Sequence, residues 1–266
     1  MPWVFRGLRN GIITSRWPKR ADDYFDQFPA AVRVVAGPDA GAPPRAVSAA
    51  QACPTNAISI EPQPRLDRGR CIVCGRCVEV APEWFAWETG SATARLSRDT
   101  LVVGDVAEDD EALAELRAAL AKRVRRLRRS VHLRHIDTGS DGSDEWEIQA
   151  LTNPVYDLHR LGIFFTASPR HADILLVTGI GAAGMIEPLR RTLDAMPAPT
   201  VVIAVGTDAV SGGLIGGGYT GGVGVSGVVP VDVWVPGAPA SPFSILHGIL
   251  LALGRVPLPE GRGAPC

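Results

Sequence analysis

Four cysteines constrain this chain more than anything else in it. Cys71, Cys74 and Cys77 stand in a C-x-x-C-x-x-C run, and Cys53 lies upstream, followed by Pro54. Three thiols at that spacing sit on a single loop and wrap one side of a small object. A fourth from another segment staples two parts of the chain around it. The chain has five cysteines, an odd number, which does not suit a secreted disulfide framework and points to metal ligation in a reducing compartment. Two metal chemistries use four thiolates, a zinc ion and an iron–sulfur cluster.

The pattern around the cysteines separates the two. Bacterial ferredoxins with two clusters carry two copies of C-x₂-C-x₂-C-x₃-C-P, and the last cysteine of each copy ligates the other copy's cluster. Cys71, Cys74 and Cys77 match the three close ligands of a second copy, and Cys53-Pro54 matches the end of a first. Together they make one complete set for one [4Fe–4S] cluster. The other set is gone as a unit. Its three close positions fall at Pro43, Ala46 and Ala49, and its crossover position is Ala81, followed by Pro82. Losing all four ligands of one cluster and none of the other supports the crossover assignment over zinc.

The 266 residues, 46% of them hydrophobic, suffice for one large or two modest cores. With 27 basic and 28 acidic residues, net charge gives no sign of a nucleic-acid partner. No stretch approaches the roughly 18 apolar residues of a membrane span. Residues 1–20 have no long apolar core and no small-residue cleavage site, so no signal peptide is expected. Trp3, Phe5, Leu8, Ile12 and Ile13 suit a short amphipathic helix, packed on the chain's own body or docked on a partner.

Residues 37–46 read as a loop, and 93–95 and 101–103 as short strands. Residues 108–129 are rich in Ala, Leu, Glu and Arg and read as a linking helix, acidic at its start and basic at its end. The basic run 122–129 is read as a solvated face or a contact to an acidic partner. Beyond 130 the pattern alternates. Strands are expected at 174–178, 201–205 and 231–235, and helices at 188–196 and 244–253. Near-continuous apolar strands between helices predict a parallel sheet covered on both faces.

The stretch from His132 to Leu253 resembles the small iron–sulfur subunit of respiratory complex I. It resembles even more the small subunit of energy-converting [NiFe] hydrogenases and formate hydrogenlyase. The resemblance is carried by Leu133-Arg134-His135-Ile136-Asp137-Thr138-Gly139-Ser140, by Glu145-Trp146-Glu147, and by Tyr156-Asp157-Leu158-His159-Arg160-Leu161-Gly162. Ala167-Ser168-Pro169-Arg170-His171-Ala172-Asp173, Glu187-Pro188-Leu189-Arg190-Arg191 and Val229-Pro230-Val231-Asp232-Val233-Trp234-Val235-Pro236-Gly237 continue it. Gly7-Leu8-Arg9-Asn10-Gly11 and Thr14-Ser15-Arg16-Trp17-Pro18 are similar to the ferredoxin-like subunit of the same complexes. The resemblance implies a fusion of two subunits. Residues 1–105 form a ferredoxin-like α+β [4Fe–4S] domain, 106–130 a helical linker, and 131–256 a flavodoxin-like α/β parallel-sheet domain.

It also implies a role: an electron-transfer subunit of a membrane-associated oxidoreductase complex, with no catalysis by the chain alone. The expected partners are a hydrogenase-like large subunit and integral membrane subunits, with no nucleic acid. The expected place is the cytoplasmic face of the cell membrane, touched only through partners. A non-redox scaffold is the alternative. The family's small subunit carries its own [4Fe–4S] cluster, with ligands in Cys-x-x-Cys-Glu, Gly-Asp-Cys-Ala and Pro-Gly-Cys-Pro motifs. Here those positions hold Asp141, Asp144, Asp208 and Ala238. Carboxylates are poor substitutes for thiolates on iron–sulfur clusters, so this domain is expected to hold no cluster. The three aspartates are expected to face solvent or pair with nearby Arg and His rather than bind a hard cation.

Gly179-Ile180-Gly181-Ala182-Ala183-Gly184 is a G-x-G-x-x-G after a strand, with Asp208 at the end of the next strand. That is the spacing of a dinucleotide-binding fingerprint and gives a further alternative, a nucleotide-binding ferredoxin fusion. The resemblance already accounts for a strand–turn–helix here. The five histidines, 132, 135, 159, 171 and 247, form no metal motif, and Cys266 reads as a free thiol.

Overall fold

The computed structural model describes residues 3–35, 44–104, 110–125, 127 and 130–256. Pro43, Cys266 and the arginines at 126, 128 and 129 lie outside them, as do Glu108 and Asp109 at the expected start of the linking helix.

The N-terminal part holds α1 (Trp3–Asn10), α2 (Asp23–Asp26), β1 (Ala31–Val34), α3 (Pro44–Ala52), β2 (Ile58–Ser59), β3 (Arg65–Asp67), α4 (Arg76–Val80), β4 (Phe85–Glu88) and β5 (Val102–Val103). β1 pairs antiparallel with β4, and β2, β3 and β5 form a second antiparallel sheet. Helix α3 starts inside the stretch expected to be a loop. Pro44 is its first residue, where a missing N–H costs nothing. Leu101 closes a 3₁₀ turn, so the strand expected at 101–103 is only β5. Helix α5 (Asp110–Val124) follows, and its Arg123 pairs with Asp232 at 2.6 Å.

The second part contains β6 (Val131–Asp137), α6 (Ser143–Ala150), β7 (Ile163–Phe165), β8 (Ile174–Thr178), α7 (Ile186–Asp194), β9 (Val201–Val205), α8 (Gly206–Ser211), β10 (Val233–Val235) and α9 (Pro242–Ala252). The sheet is parallel, in the order β10-β9-β8-β6-β7. Counted within this part the order is 2-1-3-4-5, the flavodoxin-like arrangement. Every residue of β8, β9 and β10 is buried, as unbroken apolar strands between two helical layers should be. Helix α9 is buried along its whole length. It is capped by Ser241, whose Oγ accepts from the Ser244 N–H at 3.2 Å.

The two parts share a core. Trp17 stacks on Phe25 with ring centroids 4.3 Å apart, and both meet Phe243 of α9 edge-on. Arg95 exchanges backbone hydrogen bonds with Trp234 at 2.9 and 2.8 Å. The strand expected at 93–95 is thus reduced to a single antiparallel bridge, Arg95 to Trp234, beside β10.

Candidate metal centre

The four cysteines meet around one cavity. Cys53 follows α3 directly, Cys71 and Cys74 sit on the loop between β3 and α4, and Cys77 lies in the first turn of α4. Their cavity is walled by the apolar side chains of Val32, Ile58, Leu66 and Ile72, with Cys74 at its exposed side. The Ala57 N–H points at Cys53 Sγ (3.3 Å) and the Val73 N–H at Cys71 Sγ (3.4 Å). Left-handed backbone at Val73 (φ 55°) and Gly75 (φ 78°) makes the loop curl. A Cβ on Gly75 would stand 2.7 Å from the Trp87 ring, so sterics and φ both call for glycine.

Two residues that no sequence motif singles out hold this loop. Asp67 accepts the Gly69 N–H at 2.8 Å through its side chain, and its carbonyl accepts the Cys71 N–H at 3.1 Å. Arg98 grips both Asp67 oxygens, at 2.8 and 2.6 Å, a bidentate pair that fixes the carboxylate. The pair escapes sequence reasoning because the partnership of Asp67 and Arg98 forms only in three dimensions.

The thiols fit an iron–sulfur ligand set. Burial pushes the Cys71 thiol up to about 12, partly offset by the Val73 N–H, and burial raises Cys77 as well. Such thiols stay protonated until a bound metal's positive charge stabilises the thiolates. The N–H groups aimed at sulfur stabilise the anionic form in the same way. Among the described residues no group of three or more His, Cys, Asp or Glu side chains is placed to hold a metal ion. A cubane offers a separate iron to each thiolate, so its ligands surround a cavity instead of meeting at one ion.

The positions of the lost cluster show what replaced it. Ala46, Ala49 and Ala81 are each 0% exposed and pack in one core with Leu66, Trp84 and Phe85. Small apolar side chains let α3 and α4 close together, so the core is filled by packing.

The second part brings its vacated ligand positions together at the carboxyl ends of the strands. That is where open α/β sheets place their ligand sites. Asp144 is 3% exposed, and its Oδ1 accepts the Ala240 N–H at 2.9 Å, two residues past Ala238. Its Oδ2 would lie 1.8 Å from a Cβ on Gly206, so only glycine fits there (φ 84°). Asp208 follows two residues later on α8. Burial raises the Asp144 carboxyl to about 8, with Asp208, Glu145 and Asp141 adding repulsion, and burial raises Asp208 to about 6. Asp141 is exposed and held below the usual range by hydrogen bonds from the Ser143 side chain and N–H (2.6 and 2.9 Å). The expectation of solvent exposure thus fits Asp141 but not Asp144. Asp144 lies buried against a backbone N–H, and burial favours its protonated form.

This place touches the cysteine loop. Thr207 Oγ1 donates to the Cys71 carbonyl at 3.1 Å, the Gly237 N–H reaches Thr207 Oγ1 at 3.3 Å, and the Thr207 N–H reaches the Gly237 carbonyl at 2.6 Å. Ile72 and Val73 share the wall of a deep, largely apolar groove with Pro236, Ala238, Pro239 and Phe243.

The G-x-G-x-x-G turn is built but closed. The Ile180 N–H goes to the Gly139 carbonyl, Gly181 N–H to Thr138 Oγ1, Ala182 N–H to the Thr138 carbonyl and Ala183 N–H to the Thr220 carbonyl. Gly222 lies so close to the turn that a Cβ on it would stand 2.3 Å from the Ile180 carbonyl oxygen. A phosphate cradle needs those N–H groups free. The dinucleotide alternative therefore loses its binding element.

A five-stranded sheet in flavodoxin order, fused behind a ferredoxin-like unit with four cysteines on one cavity, defines the architecture of an iron–sulfur subunit. Residues 142–252 match the family described as NADH ubiquinone oxidoreductase, 20 Kd subunit, and residues 65–120 match the 4Fe-4S single cluster domain. Formate hydrogenlyase subunit 7 of Escherichia coli is 39% identical over 145 residues, which cover 54% of this chain and 56% of that protein. The probable membrane-bound hydrogenase subunit mbhJ of Pyrococcus furiosus is 38% identical over 158 residues, covering 55% of this chain and 95% of that one. A chain of the membrane-bound sulfane sulfur reductase, an archaeal respiratory membrane complex, superposes with a TM-score of 0.44 at 26% identity, over 50% of this chain and 74% of that one. The chain belongs to the 20 Kd subunit family, as a fusion with a ferredoxin-like unit and without the small-subunit cluster cysteines.

Proposed function

We propose that this chain is the electron-transfer subunit of a membrane-associated oxidoreductase complex, and that Cys53, Cys71, Cys74 and Cys77 hold its one [4Fe–4S] cluster. A cluster held there accepts and releases one electron at a time. The chain's own part is to bind and insulate. Val32, Ile58 and Leu66 give the cavity an apolar wall, the Ala57 and Val73 N–H groups stabilise thiolate charge, and Asp67 with Arg98 fixes the loop. Thr207 holds this loop against the turn that carries Asp208. The single cluster thereby serves from beside the position that the small subunit's own cluster would occupy.

In this reading residues 1–105 are the cluster unit, 106–130 the linker and 131–256 the docking unit. The partners are a hydrogenase-like large subunit, seated over the groove beside Ile72 and Val73, and integral membrane subunits. The complex lies on the cytoplasmic face of the cell membrane. The convergence of all four thiols with N–H groups aimed at sulfur carries this reading. A redox titration of the purified complex tests it. Wild type is expected to show a reversible one-electron signal that Cys77→Ala removes together with the complex's electron-transfer activity. Full activity after loss of the signal would make the chain a scaffold.

A further inference from the structure

The N-terminal segment is basic, and its helix α1 is amphipathic and unburied. Residues 3–20 contain Arg6, Arg9, Arg16, Lys19 and Arg20 and no carboxylate. All five cations are exposed, and none forms an ion pair among the described residues. At 100° per residue, Val4, Phe5 and Leu8 share one side of α1, and Arg6, Arg9 and Asn10 share the other. Helix α1 has no buried residue. Phe5 is 58% exposed and Leu8 74%. Packing on the chain's own body, one of the two readings the sequence allowed, is therefore not what α1 does.

The base of this segment is fixed. The Ser15 N–H donates to the Val155 carbonyl at 2.8 Å, and Trp17 is buried against Phe25 and α9. The body thus presents α1 outward from an anchored stem. Exposed apolar side chains in a contiguous set mark an interaction surface. Val, Phe and Leu on one face with Arg on the other suit a helix lying in a lipid headgroup layer. Five cations with no acid complement anionic headgroups. Among the described residues no helix is long and apolar enough to cross a membrane, so the fit is to a surface.

We propose that α1 lies in the headgroup layer of an anionic lipid surface, so that this chain touches the membrane itself. Its partners then share a contact that the family resemblance assigned to them alone. The inference is independent of the cluster assignment. Its test leaves the cysteines untouched, so either reading can fail without the other.

The test is flotation of the cluster-loaded full chain with vesicles of phosphatidylcholine alone or mixed with phosphatidylglycerol. Binding is expected to be at least about tenfold stronger on the mixed vesicles and to weaken as salt rises. Leu8→Asp is expected to reduce it about tenfold with the cluster spectrum and melting temperature unchanged, because Leu8 supports nothing in the fold. Equal binding to both vesicle types, or binding indifferent to Leu8→Asp, overturns the proposal. So does an absence of vesicle binding. If partner subunits are then lost from the Leu8→Asp complex, the helix is a protein-docking element.

Discussion

Thr207 Oγ1 donates to the carbonyl oxygen of Cys71 at 3.1 Å, across the boundary between the cysteine-bearing unit and the large parallel sheet. Thr207 Oγ1 in turn accepts the Gly237 N–H at 3.3 Å. One hydroxyl therefore ties together the surviving ligand loop and two of the turns on which the family's small subunit carries its own ligands. The fusion is thus a docked pair, in which the cysteine loop leans on the vacated site.

Removing that hydroxyl should be felt in both units. Thr207→Val keeps the shape but leaves a carbonyl and an N–H without their partner, a loss of about 1–3 kcal/mol. Thermal melts are expected to show the loss, and hydrogen exchange is expected to rise at residues 71–78. Thr207→Ser, which restores the hydroxyl, should recover most of the stability. An unchanged exchange pattern in Thr207→Val would mean that the loop does not depend on this contact.

The cluster count follows from the cysteines. Anaerobically purified chain is expected to carry about four irons and four sulfides, the content of one cubane. Cys74→Ala should abolish its visible and paramagnetic resonance signals. About eight irons would contradict the assignment of the other cluster's ligand positions to Pro43, Ala46, Ala49 and Ala81, none of which can ligate iron.

Gly75 gives a test of the loop's shape that leaves every thiol in place. An alanine there meets the Trp87 ring at 2.7 Å with φ at +78°. Strain of this kind costs roughly 1–3 kcal/mol. Gly75→Ala is expected to lower cluster occupancy and to speed its loss on exposure to air. Occupancy equal to wild type would show that the loop tolerates a different path.

Much of this was legible in the sequence, for local reasons. The apolar runs 174–178 and 201–205 are strands because each is buried on both faces, which leaves no alternation to misread. The cysteine spacing pointed to the cavity, since ligand spacing is itself a local geometry. Strand β6 was not legible. Val131-His132-Leu133-Arg134-His135 interrupts its apolar residues with charge, and only neighbours such as Thr178, 2.9 Å from His135 Nε2, explain the histidine there. The closed G-x-G turn was equally out of reach. Its N–H groups are taken by Thr138 and by Thr220, which lies well along the chain. Asp144 misled for a related reason, because burial between Gly206 and Ala240 is a tertiary fact.

Asp144 supplies the pH dependence. Its carboxyl is raised to about 8 from an ordinary 3.8, so the folded chain holds a proton there that the unfolded chain releases. A raised carboxylate contributes its full stability below the ordinary value and loses it as pH climbs toward the folded value. Stability should therefore fall between about pH 4 and pH 8 on account of this group, with Asp208, raised to about 6, adding to the lower part of that window. Each pH unit that separates the folded value from the ordinary one is worth about 1.4 kcal/mol, and solvent screening reduces the share of the half-buried Asp208. Asp144→Asn keeps an oxygen for the Ala240 N–H but has no charge to develop. It is expected to match wild type near pH 5 and to exceed it near pH 8 by on the order of a few kcal/mol. EDTA is expected to leave both melting curves unchanged if a proton on Asp144 relieves the repulsion. The opposite pattern is a melting temperature that Mg²⁺ or Ca²⁺ raises, that EDTA lowers, and that Asp208→Asn makes insensitive to both. It would show that the aspartates had turned a cluster site into a hard-cation site. Parallel pH curves for wild type and Asp144→Asn would show that Asp144 stays ionised in the folded chain.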